Sequence, residues 1–233
     1  MRQLALTGIC LVLSVTTAAK ANTAANQLQK ATNVLNEIMQ APDKGIPDDL
    51  LAKAVCVGIV PSELKFAIGL GGSYGRGVLV CRHGGNGSWG APSMFTLGGG
   101  SFGLQLGGKA TDVVFVVMNA AGAKKLVQDS VKLGGEVSAA AGPVGRSSEG
   151  ATDAQLHAEI LSYSRTRGLF AGASLEGSVL KQDEGDNRRL YGHRVTAKEL
   201  LIEGTVPRPA AAHELDGALH KYSPKGGEAF TQA

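Results

Sequence analysis

The stretch SYSRTRGLFAGASLEGS, residues 162–178, places Tyr163, Arg165 and Arg167 at spacings of two. Side chains alternate along a β-strand, so on a strand all three face one way. Arginine makes forked, charge-assisted bonds to phosphate and carboxylate oxygens, and a tyrosine at a water–apolar boundary suits such a contact. The chemistry on offer is the gripping of an anion. A competing reading is internal: the arginines pair with Glu159, Glu176 or Asp112 and hold the fold. Lys65, Arg76, Arg82 and Lys109 fall at the ends or exposed positions of other predicted strands and extend the candidate patch.

Other chemistry is only approached. Gly98, Gly100 and Gly103 match G-x-G-x-x-G, but the strand-like GLQLGG follows where a helix must begin beneath a pyrophosphate. GLQLGGKA from Gly103 misses the phosphate loop, because Ala110 stands where a hydroxyl must hold magnesium. His83, His157, His193, His213 and His220 show no metal-ligand spacing. The S-x-x-K matches at Ser62–Lys65 and Ser178–Lys181 have no accompanying K-T-G or S-D-N. Glu149, Asp153 and Glu159 read as a polar loop rather than paired catalytic carboxylates. The expectation is a protein that is not an enzyme and carries no metal or cofactor.

Composition bounds what can position these residues. The 233 residues suffice for one good-sized core, and the 33 glycines follow no period of three. They cluster with apolar and β-branched residues, which reads as turns, bulges and closely packed strands. Residues 1–21 have an early Arg2, an apolar run from Leu4 to Val15 and Ala19-Lys20-Ala21 at the A-x-A position, the pattern of a cleaved secretory signal. Without Arg2 and Lys20 the chain has 21 basic and 20 acidic residues, weak support for nucleic acid as a partner. In an exported chain Cys56 and Cys81 are a candidate disulfide; two reduced core cysteines are the alternative.

The pass along the chain predicts an α+β fold: a curved, glycine-rich, mostly antiparallel sheet, barrel- or sandwich-like, with a few flanking helices. Leu28, Ala31, Val34, Leu35, Ile38 and Met39 recur at helical spacing before Pro42, giving an amphipathic helix and linker over 22–47. That helix has little positive charge, so packing on the core is favoured over lying on a membrane. A short helix over DDLLAKA opens the main unit, 48–206. AVCVGIV, FAIGLGG, YGRGVLVC, MFTLGGGSFGLQLGG and DVVFVVMN read as strands. NAAGAKKLVQD reads as a helix capped by Asn119. VKLGGEVSAAAGPVG, the end of DAQLHAEILSYSR and GLFAGASLEGSVLK add strands, QDEGDN is a turn, and TAKELLIEG a last short helix. HGGNGSWGAPS is an exposed loop whose tryptophan covers the open end of the sheet. Residues 207–233 read as a flexible, loosely attached tail.

AVCVGIVPS, GGSYGRGVLVCR, WGAPSMFTLGGGSFGLQLGGKATDVVFVVMN, VKLGGEVSAAAGPVGR and AEILSYSRTRGLFAGASLEGS together resemble the SYLF family in order and spacing, from about Leu50 to about Tyr191. The resemblance implies a lipid-binding domain. Eukaryotic relatives are associated with phosphoinositide-containing membranes and some with actin, often beside an SH3 or FYVE module. This chain departs in its poorly charged first helix, its apparent export signal and the lack of such a module in the sequence. The expectation is an exported, periplasmic or secreted protein that binds anionic phospholipid headgroups at the cell envelope, with Tyr163, Arg165, Arg167, Lys65, Arg76, Arg82 and Lys109 as candidate contacts. A structural or protein-interaction role with an envelope partner is the rival.

Overall fold

The computed structural model describes residues 23–40, 45–68, 70–83, 87–102, 107–145, 152–166 and 169–224. The expected signal segment, 1–21, lies outside them. Helix α1 (23–39) and helix α2 (Asp48–Lys53) precede a strongly curled, half-barrel sheet that is antiparallel except for one pair. Its strands are β1 (Cys56–Ile68), β2 (Leu70–His83), β3 (Ser88–Trp89), β4 (Ser93–Phe102), β5 (Gly107–Val117), β6 (Ser130–Lys132), β7 (Ala139–Ala141), β8 (Ile160–Thr166), β9 (Leu169–Gly172) and β10 (Val179–Gln182). The order across the sheet is β6-β10-β4-β2-β1-β5-β8-β7, with β3 on β2 and β9 on β8. Helix α3 (Ala120–Leu126) follows β5, α4 (Asp153–His157) precedes β8, and α5 (Glu184–Tyr191) and α6 (His213–Tyr222) follow β10.

Both faces of the sheet are covered, and strand alternation sorts the residues between them. Val57, Ile59, Val78, Val80, Met94, Val114, Val116, Leu161 and Tyr163 pack under α1, α2 and α6. Cys56, Val60, Leu79, Cys81, Phe95, Leu97, Val113, Phe115 and Val117 face the other core with Ala123, Leu126, Leu200 and Leu201. Cys56 and Cys81 are register partners on β1 and β2 and form a disulfide. The expected close packing at glycine is seen, among other places, where a Cβ on Gly58 would strike the Phe115 ring and one on Gly77 the Phe95 ring. Those two rings then meet edge-on, centroids 5.7 Å apart.

Pro61 sits inside β1, where a ladder N–H is lost. The strand absorbs it with a register shift between Ile59 and Leu64, Ser62 taking a positive φ of 56°. The predicted strand AVCVGIV is therefore joined in β1 to the start of FAIGLGG, as far as Ile68, whereas Leu70–Gly72 of that second predicted strand open β2 instead. Helix α1 packs as expected, with Ala24, Leu28, Ala31, Val34, Leu35 and Ile38 all buried. Asn119 caps α3 by accepting from the Gly122 N–H at 2.8 Å.

Several expectations are corrected. The predicted turn QDEGDN begins helix α5, because Asp183 caps it and Asn187 bonds the Met94 N–H at 2.7 Å, fixing the helix to β4. GLFAGASLEGSVLK is two strands, β9 and β10, separated by a turn through Gly177 at φ 80°. VKLGGEVSAAAGPVG is likewise split, β6 and β7 parting at Gly134 with φ 81°. TAKELLIEG contains a π-helical turn over Glu199–Glu203 ended by Gly204. Trp89 does not sit in an exposed loop; it is buried in β3. The expected loose tail is packed as far as residue 223: α6 buries Leu215, Ala218 and Leu219 beside α1. Its apolar positions supply a face of the same core, which holds it down.

Candidate functional site

The sequence-predicted residues do not form one patch. Tyr163 and Arg165 lie on β8 and share the face that α1 covers, with consequences opposite to those expected. Tyr163 is fully buried, stacked on Phe170 at 5.4 Å and overlain by Gly142, whose Cβ would strike its ring. Burial, assisted by the Asp49 charge, pushes its hydroxyl well above the usual tyrosine range. It meets no solvent.

Arg165 is opposite Asp112 on β5 and donates to its Oδ2 from Nε at 3.2 Å and from Nη2 at 2.8 Å. Its Nη1 pairs with Glu37 of α1. Burial pulls the guanidinium's pKa down, but the Asp112 and Glu37 carboxylates outweigh it and hold the pKa above the usual arginine range. Asp112 Oδ1 accepts from the Ser62 N–H at 3.0 Å, so one carboxylate joins the β1 bulge to β8. Of the three acids expected as partners, Asp112 is the one used; Glu37, distant in sequence, carried no signal. Arg167 lies outside the described residues.

Arg82 is wholly buried rather than exposed, because its strand ends under α6. Its Nε donates to the Ala54 carbonyl at 3.1 Å, Nη1 to Gly87 at 2.6 Å, and Nη2 to the Ser223 carbonyl at 2.9 Å and hydroxyl at 2.5 Å. The guanidinium also lies 3.9 Å above the Trp89 ring. Burial lowers its pKa to about 10. This arginine anchors the end of α6.

Arg76 remains half-exposed. It points from β2 toward Asp186 of α5, which also receives Arg189 at 2.5 Å, while Arg76 itself stands 3.5 Å away. The Tyr74 hydroxyl, then Asp186, raise its pKa above the usual range. Through the ladder, Arg76 is level with Thr96 on β4 and Thr96 with Lys181 on β10. Arg76 and Lys181 are both exposed. Leu180 is buried in the second core, so alternation turns Lys181 to the face shared by Arg76.

The next level along that face is apolar. Val179, Gly98, Tyr74, Leu64 and Ala110 are successive register partners across β10, β4, β2, β1 and β5. Leu64 is 55% exposed, Tyr74 47% and Val179 37%. One residue further out, Lys65 and Lys109 are register partners on β1 and β5; their side chains lie outside the described residues. The part of that same sheet face which lies beyond α1 thus carries a cationic level beside an apolar one. Lys65 and Lys109 pair with each other but stand one residue off this row; sequence reasoning found Arg76 but missed Lys181, Leu64 and Val179, because the strand register that brings them to Arg76 has no local signal.

Residues 98–222 match the family described as "Ysc84: Las17-binding protein actin regulator". The chain is 41% identical over 178 residues to an SH3 domain-containing protein of Schizosaccharomyces pombe, covering 75% of this chain and 41% of that one. It is 35% identical over 214 residues to LAS seventeen-binding protein 3 of Saccharomyces cerevisiae, covering 87% and 46%. To SH3 domain-containing YSC84-like protein 1 of Homo sapiens it is 32% identical over 206 residues, covering 86% and 59%. The chain thus spans roughly four- to six-tenths of these relatives' length.

Proposed function

The chain belongs to the Ysc84, or SYLF, family, and from that premise we propose that it is a non-enzymatic binding protein that meets anionic phospholipid headgroups at the cell envelope. The observation that carries the reading is the stretch of sheet beyond α1 where exposed Arg76 and Lys181 stand one level from exposed Tyr74, Leu64 and Val179. A phosphate layer over an apolar interior calls for that pairing of groups: cations for the charge, an aromatic ring for the boundary. Arg165, Arg82 and Tyr163 have no part in it, because their polar atoms are buried or committed within the fold.

Co-sedimentation with neutral and phosphatidylglycerol-containing vesicles at low and high salt tests this. Binding is expected only to the anionic vesicles and is expected to weaken with salt. Arg76→Gln/Lys181→Gln should bind roughly thirtyfold more weakly, at about 1 kcal/mol per cation near such a surface. Equal sedimentation with both vesicle types, or none, rules the reading out. The second reading is a protein partner in the envelope. It is supported by the ion pairs that consume Arg165, by the family's description as Las17-binding and by the relative LAS seventeen-binding protein 3.

A further inference from the structure

The strand order ends at β7, several strands from Arg76 and Lys181, and a cleft of about 390 Å³ opens there, a volume within the range of ligand pockets. Ala139, Ala140 and Ala141 line it in succession, with α4 on one side and Glu176, from the connection between β9 and β10, on the other. Ala139 packs into one core and Ala140 against the other, so a cleft that touches both runs along the edge of β7 rather than over a face.

That edge has main-chain groups to spare. The Ile160 N–H donates to the Ser138 carbonyl at 3.0 Å and the Gly142 N–H to the Ser162 carbonyl at 2.9 Å. The parallel ladder with β8 therefore engages alternate residues, and the main-chain groups of Ala139 and Ala141 point the other way. On that side the Gln155 amide donates to the Ala141 carbonyl at 2.7 Å and closes one end of the cleft. The Ala139 N–H and carbonyl and the Ala141 N–H have no partner among the described residues.

Charge decides what kind of chain would meet them. Glu159 is consumed by Lys125 at 2.8 Å and by the Ser138 N–H at 2.9 Å. Glu176 is exposed at the cleft and forms no ion pair among the described residues. Its stem rests against Gly134, where a Cβ would strike it. We propose that the cleft takes a short extended peptide segment that carries a positive charge. Its main chain bonds Ala139 and Ala141, small side chains face the alanine walls, and its ammonium group meets Glu176; unused strand-edge groups give affinity and the adjoining cleft gives selectivity. The proposal does not depend on the phospholipid reading, which concerns other strands.

The test is an amide NMR titration of the full chain with the blocked peptide acetyl-Ala-Lys-Ala-amide, without vesicles. Shifts are expected at the Ala139 and Ala141 amides and not at Arg76 or Lys181. Acetyl-Ala-Glu-Ala-amide should bind about tenfold more weakly, and Glu176→Gln should weaken the lysine peptide by about the same factor, the loss of one charge-assisted bond. Ala154→Leu, an exposed change on α4 that fills the cleft, should remove binding. No shift at Ala139 and Ala141 overturns the proposal, as does equal binding of the two peptides. Butylamine that reproduces the shifts at the same affinity also overturns it, because the main chain then contributes nothing. Signals far from the cleft show each variant to be folded, and vesicle co-sedimentation is measured apart, so the two readings fail separately.

Discussion

Arg165 shows how one residue's role is decided by what surrounds it. A guanidinium shared by two carboxylates on separate elements holds α1 to the sheet, and its loss leaves Asp112 facing the β1 bulge alone. Arg165→Ala and Asp112→Ala should each lower stability by about 2 kcal/mol in urea titrations, and the double variant should lose clearly less than their sum. Glu37→Ala should cost less than 1 kcal/mol, since that carboxylate is half-exposed. Additive losses would show that the pair does not act as a unit. The sequence showed that Arg165 shares a face with Tyr163, a consequence of period two alone. It did not show what that face meets. Arg82 carried even less warning: R-H-G-G reads as the exposed end of a strand, and its burial depends on carbonyls from Ala54, Gly87 and Ser223, far apart in the chain.

At the scale of elements, the strands were legible because β-branched and glycine-rich runs announce them. The late helices were not. Helix α6 has Leu215, Ala218, Leu219 and Tyr222 at helical spacing, a real signal obscured by prolines and glycines on either side. Helix α5 buries polar residues, Asp186 and Asn187, and so had no apolar stripe to read. What fastens α6 is specific: Arg82 bonds Ser223, whose hydroxyl donates to the Leu51 carbonyl at 2.7 Å. Arg82→Met keeps the bulk but removes the guanidinium's bonds to the Ala54, Gly87 and Ser223 carbonyls, an expected loss of about 3 kcal/mol. Hydrogen exchange should accelerate first in α6 and α2, the elements that the network joins. Uniform acceleration across the sheet would contradict a local anchor.

For the molecule as a whole, the two cores follow from alternation in β1, β2 and β5, where successive residues enter opposite clusters. The disulfide stands on one side of this arrangement, closing a sequence separation of 25. Chain-entropy reasoning gives such a loop about 3 kcal/mol, so thiol reduction should lower the urea midpoint by the corresponding amount without changing the folded circular dichroism spectrum. An unchanged midpoint would mean that the hairpin is held by its ladder alone.

The Asn36–Tyr222 contact, 3.0 Å long, joins positions 186 residues apart and brings the first and last described helices together over one sheet face. During synthesis that face stays partly open until α6 has emerged, because α6 is the last of the described elements to be made. Until then the chain presents incompletely covered valines on β1, β2 and β5 on the ribosome. A chain arrested a few residues short of Ser223 should be a substrate for chaperones, whereas one that extends past it should not.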